Sequence, residues 1–345
     1  MFKALKEKFP EIDGYVISNP ADVFYLTGFY SEDCLLVYSK NPVLVTDSRY
    51  TVAAKVSRVP QRIVNNGYIG GVIEILNEQN IKNVGIQEDN LLTSDYLALT
   101  EAGFNLNKTN GVFTAFRCSK NQEEIENIKN AQKITDKAFT EILPFIKEGV
   151  TEKELRAKLE YIMLSLGADG LAFETIVASG TNGAKPHAVP SDNKIKSGDF
   201  VTIDFGARLN NYDSDMTRTV AVGEITKEME EVYNLVLLAH EKGRDALRPG
   251  VSCKEVDAVA RKVIEDGGYG EYFTHSLGHG VGIEIHESPR LSKTSQDVLK
   301  IGDVVTVEPG IYIENKFGVR IENMYVITRD GYENLTISDK KLINL

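Results

Sequence analysis

A chain of 345 residues exceeds the length at which a single core stops growing, roughly 250–300 residues, so two domains are expected. With 42% hydrophobic and 26% charged residues, and 28 Gly and 10 Pro spread along it, the chain reads as globular with a sizeable core, which excludes disordered, collagenous and membrane-embedded classes. A formal net charge of −11 leaves no broad basic footprint for phosphate backbones, so nucleic acid is excluded as a main partner.

Residues 1–10 alternate charged with apolar side chains and contain no apolar signal core, and no run of about 18 apolar residues follows. No membrane partner is expected. Cys34, Cys118 and Cys253 lie far apart without CxxC spacing, so reduced thiols and a cytoplasmic location are expected rather than a disulfide framework or a thiolate zinc site. Up to about residue 116, short apolar runs bounded by Gly, Asn, Asp and Pro predict strands at 14–18, 34–38, 42–46 and 83–86, alternating with helical or turn-like stretches. This is an α/β pattern with its own sheet, over residues 1–119. From Asn121 the period changes: Ile125, Ile128, Ala131, Ala138, Ile142 and Phe145 share one face of a helix. A second domain is expected over 120–345.

That second part repeats itself. Residues 196–204 align with 300–308 at a constant offset of 104, sharing K-x-G-D-x-V-T-[IV]-[DE]. Upstream, Gly149-Val150-Thr151-x-x-Glu154 matches Gly250-Val251-Ser252-x-x-Glu255 at offset 101, and both T/S-x-x-E segments predict a capping box opening an amphipathic helix. His187-x-x-Pro190 matches His286-x-x-Pro289 at offset 99. The small drift is what loop insertions produce. Two αα–ββ halves related by a pseudo-twofold are expected, giving an α+β architecture of antiparallel sheet with helices on one face. The other face is free to hold a site.

Each half carries two acids near strand ends: Asp204 and Asp215, 11 residues apart, and Glu308 and Glu322, 14 apart. Side chains alternate along a strand, so Asp204 points away from Ile203 and Phe205, and Glu308 away from Val307. Four carboxylates meeting on one surface would repel or take up protons, whereas two divalent ions would balance them. Of five histidines, His275, His279 and His286 fall within 12 residues, and glycines around His279 suit close approach to a ligand. His240 lies in the amphipathic run 231–247 and is expected to be structural. One histidine with four carboxylates is an oxygen-rich set that favours Mn²⁺, with Co²⁺, Fe²⁺ or Zn²⁺ as alternatives. The glycine-rich stretch 179–187 lacks the ending of a phosphate-binding loop and predicts a flexible loop presenting His187. Arg290 and Arg320 suit either carboxylate recognition or salt bridges to neighbouring acids.

Five segments in order carry a family resemblance: Ile203-Asp204-Phe205-Gly206-Ala207, Ser214-Asp215-Met216-Thr217-Arg218-Thr219, Gly278-His279-Gly280-Val281-Gly282, Glu308-Pro309-Gly310-Ile311-Tyr312 and Arg320-Ile321-Glu322-Asn323. They resemble the motif set of the pita-bread metallopeptidases, in the aminopeptidase P and prolidase branch. Tyr25-Leu26-Thr27-Gly28-Phe29 and Leu44-Val45-Thr46-Asp47-Ser48-Arg49 resemble the creatinase-type N-terminal domain of that group. The resemblance implies hydrolysis of Xaa-Pro bonds in small peptides with proline at the second position, by a hydroxide bridging two metal ions. It implies that Asp215 and Glu322 bridge the ions, that Asp204 completes one, and that His279 and Glu308 complete the other. Glu308 would also shuttle the proton. His187, His275 and His286 would hold substrate and stabilise the tetrahedral intermediate. Arg320 matches an arginine beside the bridging glutamate, and Arg290 a prolidase position associated with the proline carboxylate. The family commonly dimerises, so a homodimer is expected; with no Trp in the chain, no partner Trp shapes the pocket. Two other readings stand beside this one: a catalytically inactive pita-bread binding module, and a metallo-aminopeptidase without proline specificity. The joint presence of five ligand positions and three active-site histidines favours the enzyme.

Overall fold

The structure is a computed structural model that describes all residues, Met1–Leu345. The chain separates into two compact units, Met1–Arg117 and Cys118–Leu345.

In the first unit β1 (Gly14–Ile17), β2 (Cys34–Tyr38), β3 (Val43–Asp47), β4 (Gln61–Val64), β5 (Asn83–Ile86) and β6 (Asn105–Lys108) form one sheet in the order β4-β3-β2-β1-β5-β6. The β1–β2 and β2–β3 pairs are antiparallel, and the outer pairs are parallel. Helices α1 (Phe2–Lys8), α2 (Pro20–Thr27), α3 (Tyr68–Glu78), α4 (Thr93–Glu101) and the short α5 (Thr114–Arg117) complete it. Alternation sends Val16, Val37 and Val45 into one apolar cluster and Tyr15, Ile17, Leu36 and Leu44 into another, so the sheet is buried on both faces. The four expected strands are β1, β2, β3 and β5. The strands β4 and β6 escaped the sequence reading because each is an edge that pairs on one side only, and Gln61-Arg62-Ile63-Val64 and Asn105-Leu106-Asn107-Lys108 are correspondingly polar.

In the second unit α6 (Gln122–Ile142) and α7 (Glu152–Ser165) both open on complete capping boxes, Asn121 with Glu124 and Thr151 with Glu154. The strands that follow are β7 (Gly170–Leu171), β8 (Ile176–Ser179), β9 (Asp199–Phe205), β10 (Ala207–Leu209), β11 (Tyr212–Asp213) and β12 (Met216–Val222). The second half then supplies α8 (Lys227–Asp245), α9 (Cys253–Asp266), β13 (Gly278–Gly280), β14 (Glu287–Leu291), β15 (Val304–Val307), β16 (Gly310–Ile313), β17 (Phe317–Arg320), β18 (Asn323–Thr328) and β19 (Gly331–Asn334). Two antiparallel sheets, β12-β9-β8 and β14-β13-β15-β18-β19, are the strand layers of the two halves. Val201, Ile203 and Phe205 pack with Ala138, Phe139, Leu155 and Leu159 from α6 and α7, while Val305 and Val307 pack with Val232, Val236, Val256 and Ala260 from α8 and α9. The helices therefore cover one face of each sheet, as the repeat implies.

Two local expectations differ from the structure. Ser252 makes no side-chain cap on α9, and Glu255 pairs instead with Arg248 at 3.4 Å. Phe145 lies beyond the end of α6 in a 3-10 turn whose Pro144 cannot continue the helical hydrogen bonding, and its ring is exposed. In the second half the acids are separated by an independent hairpin, β16 and β17, because Pro309 has no N–H to continue the β15 ladder. No helix is long and apolar enough to cross a membrane.

His240 sits inside α8, fully buried, with Nε2 3.3 Å from the Tyr325 hydroxyl and Nδ1 without a partner. Burial first, and Lys340, Arg218 and Arg244 after it, hold its pKa well below the ordinary histidine value. The folded state therefore keeps this ring neutral while the unfolded chain takes up a proton below about pH 6.5, so its contribution to stability falls as pH drops through that value. We expect urea midpoints to decrease between pH 7 and pH 5, and the decrease to be smaller in His240→Gln; an equal decrease in both proteins contradicts this account.

Candidate active site

The strand pairing brings the acids to one place. Asp204 on β9 lies opposite Thr217 on β12, with Asp215 just before that strand. In the other half Val307 lies opposite Asn323, so Glu308 follows β15 where Glu322 precedes β18. His279 is the central residue of β13, beside β15. A Cβ on Gly278 would collide with the Thr306 carbonyl and one on Gly280 with that of Ser288, so these glycines serve close strand approach. One ligand atom each from Asp215, His279 and Glu322 lie within 4.8 Å of one another, and His279 Nε2 is 3.3 Å from Glu308 and 3.5 Å from Asp215. Arg320 Nη2 reaches Asp204 at 2.6 Å.

Two hydroxyls brace the set. Thr217 donates to Glu322 at 2.7 Å and accepts from Arg320 Nε at 3.0 Å. Thr306 accepts from the His279 N–H at 3.1 Å and donates to Glu308 at 3.2 Å. Alternation places Thr217 two residues from Asp215 and Thr306 two from Glu308, on the acids' own faces. That signal was available in the sequence.

Four carboxylates thus share a buried space with one guanidinium. Burial, and then Glu322 with the other acids, push the Asp215 carboxyl well above its ordinary range, and burial with Glu322 does the same to Glu308. Glu322 is pushed up to about 8, first by burial and then by Asp204. Asp204 Oδ1 and Glu322 Oε1 are buried without any hydrogen-bond partner. Burial, then His286, lowers His279 to about 3, so its ring is neutral. With Nδ1–H donated to the Gly280 carbonyl at 3.0 Å, the Nε2 lone pair faces two carboxylates. A lone pair aimed at anionic oxygens, with orphaned oxygens beside it, is a donor set fitted to cations. The Nδ1 bond to a backbone carbonyl is the arrangement that orients a metal-binding imidazole.

The acids form the floor of a pocket of about 590 Å³, lined also by Phe173, Ile176, Pro186, His187, His275, His286, Arg290 and Arg320. His286 packs edge-on against His279, with ring centroids 4.4 Å apart. His275 is already engaged at both nitrogens: Nδ1 is 2.8 Å from the Ser276 carbonyl and Nε2 3.0 Å from the Tyr312 hydroxyl, which accepts from Arg320 Nη1 at 2.6 Å. Arg320 also donates to the Pro186 carbonyl at 3.2 Å, so its donors are occupied by the protein's own groups. Arg290 is exposed at the rim, and its guanidinium makes no ion pair. The loop bearing His286 is held from behind, where Glu287 accepts from the Ile283 and Glu284 N–H groups at 3.1 and 3.2 Å and pairs with buried Lys120 at 2.9 Å. Tyr312 and Lys120 received no role from the sequence, because their importance lies in contacts with residues far along the chain.

The sequence matches the model of Metallopeptidase family M24 over residues 126–329 and that of the Creatinase/Prolidase N-terminal domain over residues 3–119. It is 40% identical over 338 residues to an Xaa-Pro dipeptidase of Pyrococcus furiosus, covering 96% of this chain and 95% of that protein. The fold superposes on an Xaa-Pro dipeptidase from Bacillus anthracis with a TM-score of 0.96 at 41% identity, covering 100% of this chain and 99% of the other. On the X-Pro aminopeptidase from Thermotoga maritima the TM-score is 0.91 at 39% identity, covering 99% and 100%.

An ion that binds only the folded cluster stabilises it by about 2.7 kcal/mol at a hundredfold excess over Kd. Chelator-treated protein is expected to melt at a higher temperature when a divalent ion is returned, and Asp215→Asn or His279→Ala to shrink that rise. An unchanged rise in both variants removes the cluster as the binding site.

Proposed function

The chain belongs to metallopeptidase family M24, and from that premise we propose that it hydrolyses Xaa-Pro bonds in small peptides using two divalent ions, with Mn²⁺ as the preferred metal. The observation that carries this reading is the convergence of buried Asp215, Glu322 and a neutral His279 with the partly buried Asp204 and Glu308, where one oxygen each of Asp204 and Glu322 lacks a partner. Asp204, Asp215, His279, Glu308 and Glu322 are the ligands. When bound, such ions supply Lewis-acid polarisation of a carbonyl and activation of water near neutral pH.

The chain's own groups do the rest. Glu308 takes a proton from the attacking water at its carboxylate and returns it to the departing proline nitrogen. Its bond from Thr306 fixes which oxygen is free for that exchange. His187 and His286 line the pocket and supply polar contacts to the substrate carbonyl as charge develops on it. His275, assigned a direct role on resemblance, acts instead by positioning: with both nitrogens occupied it holds Tyr312, which holds Arg320 against Asp204. Arg320 is accordingly a brace for the acids rather than a substrate group. Arg290, unpaired at the rim, receives the free carboxylate of a dipeptide. Residues 1–119 and 120–345 are the N-terminal and catalytic domains of a cytoplasmic homodimer.

The test is hydrolysis by metal-stripped protein with Mn²⁺, Co²⁺ or Zn²⁺ returned, on an Xaa-Pro dipeptide, an Xaa-Pro tripeptide and a Met-Ala peptide. Metal-dependent turnover of the proline substrates alone is expected, and cleavage of Met-Ala at a similar rate overturns the specificity. Glu308→Ala is expected to lower kcat by at least about 10²-fold, in line with loss of a general acid–base group. Arg290→Ala is expected to raise KM for the dipeptide far more than for the tripeptide; equal effects remove it as the carboxylate group.

A further inference from the structure

One more carboxylate is enclosed in the second unit, away from the acid cluster. Glu152, the first residue of α7, is fully buried and forms no ion pair. Its Oε1 accepts from the Ser179 N–H at 2.7 Å and the Ser179 hydroxyl at 2.9 Å. Its Oε2 accepts from the Ser191 N–H at 2.8 Å, the Ser191 hydroxyl at 2.7 Å and the Asn182 amide at 2.9 Å. Five donors and a helix N-terminus compensate the charge where no cation does.

Ser179 and Ser191 are the two ends of the loop that carries His187. The loop leaves and returns at one carboxylate, which closes it as a compact Ω-type loop. Between those ends Pro186 is tied to Arg320, and Gly183 lies so close to β17 that a Cβ on Gly318 would overlap its carbonyl. Around these anchors Lys185, His187 and Val189 are exposed, so no apolar packing of its own fixes the histidine. The sequence predicts a flexible loop here; the structure holds a pinned one. The pin is not a relic of the repeat, since the residue corresponding to Glu152 is Cys253, and the His286 loop is held by Glu287, which corresponds to Ala188.

We infer that Glu152 is a positioning residue for the peptidase reaction, setting the place of His187 over the acid floor by gathering both ends of its loop. The inference rests on His187 meeting substrate as proposed above. Metal-loaded, full-length Glu152→Gln, His187→Ala and the double variant are compared on an Xaa-Pro dipeptide, with amide exchange followed over 180–190. Gln keeps the volume but turns an NH₂ toward donors. Glu152→Gln is expected to lower kcat about 10- to 100-fold with little change in KM, as small misplacements do. It is expected to speed exchange across the loop and to add nothing in the His187→Ala background. The same fold-loss in both backgrounds makes Glu152 a stability residue only and overturns the inference. If His187→Ala alone leaves kcat unchanged, the role of His187 fails and the inference fails with it, a result distinct from additivity. Should Glu152→Gln not fold, Ser191→Ala removes one donor and the same non-additivity is read at smaller size.

Discussion

The molecule is organised around one electrostatic constraint: four carboxylates removed from water with a single guanidinium among them. Burial raises the cost of each negative charge, and each neighbour raises it further, as the upward shifts of Asp215, Glu308 and Glu322 record. Such a floor needs cations or protons to offset its charge, and acids that cannot swing apart. The pseudo-twofold meets the second condition. Each half presents one strand pair whose apolar face is locked onto two helices, leaving its acid face no freedom but to meet the other half.

Around that floor the fold places neutral or self-satisfied groups. Thr217 and Thr306 each turn one carboxylate oxygen, and the Ser276–His275–Tyr312–Arg320 chain ends on Asp204. Burial and Arg320 lower His275 to about 3, so this chain carries no imidazolium that would compete with bound cations. Of the side chains lining the pocket, His275 and Arg320 are thereby committed to the protein's own groups, unlike Arg290 at the rim.

Much of this was legible in the sequence, and the reason differs from part to part. Asp204 and Glu308 could be read because they sit inside a duplicated strand pattern, where alternation and repetition give two independent signals, and His279 because it lies between glycines in a cluster of three histidines. The central strands of the first unit were legible as apolar runs, whereas β4 and β6 were not, since an edge strand need not be apolar. Glu152 was invisible: an acid in the first turn of a helix is ordinary, and nothing local reveals that its partners lie 27 to 39 residues further on. Arg320 was read as a carboxylate binder or a salt bridge, and its ion pair with Asp204 and hydrogen bond to Tyr312 emerge only in three dimensions. Residues that act through distant contacts leave no period behind.

The two loops at the pocket mouth hang from anchors that do not correspond, Glu152 for one and Glu287 with Lys120 for the other. A duplicated scaffold has thus acquired unduplicated hinges. A substitution at one anchor leaves the fastening of the other loop in place, so either wall can be altered without loosening its counterpart. Such a design lets selection retune what enters the pocket from one side at a time without disturbing the chemistry beneath.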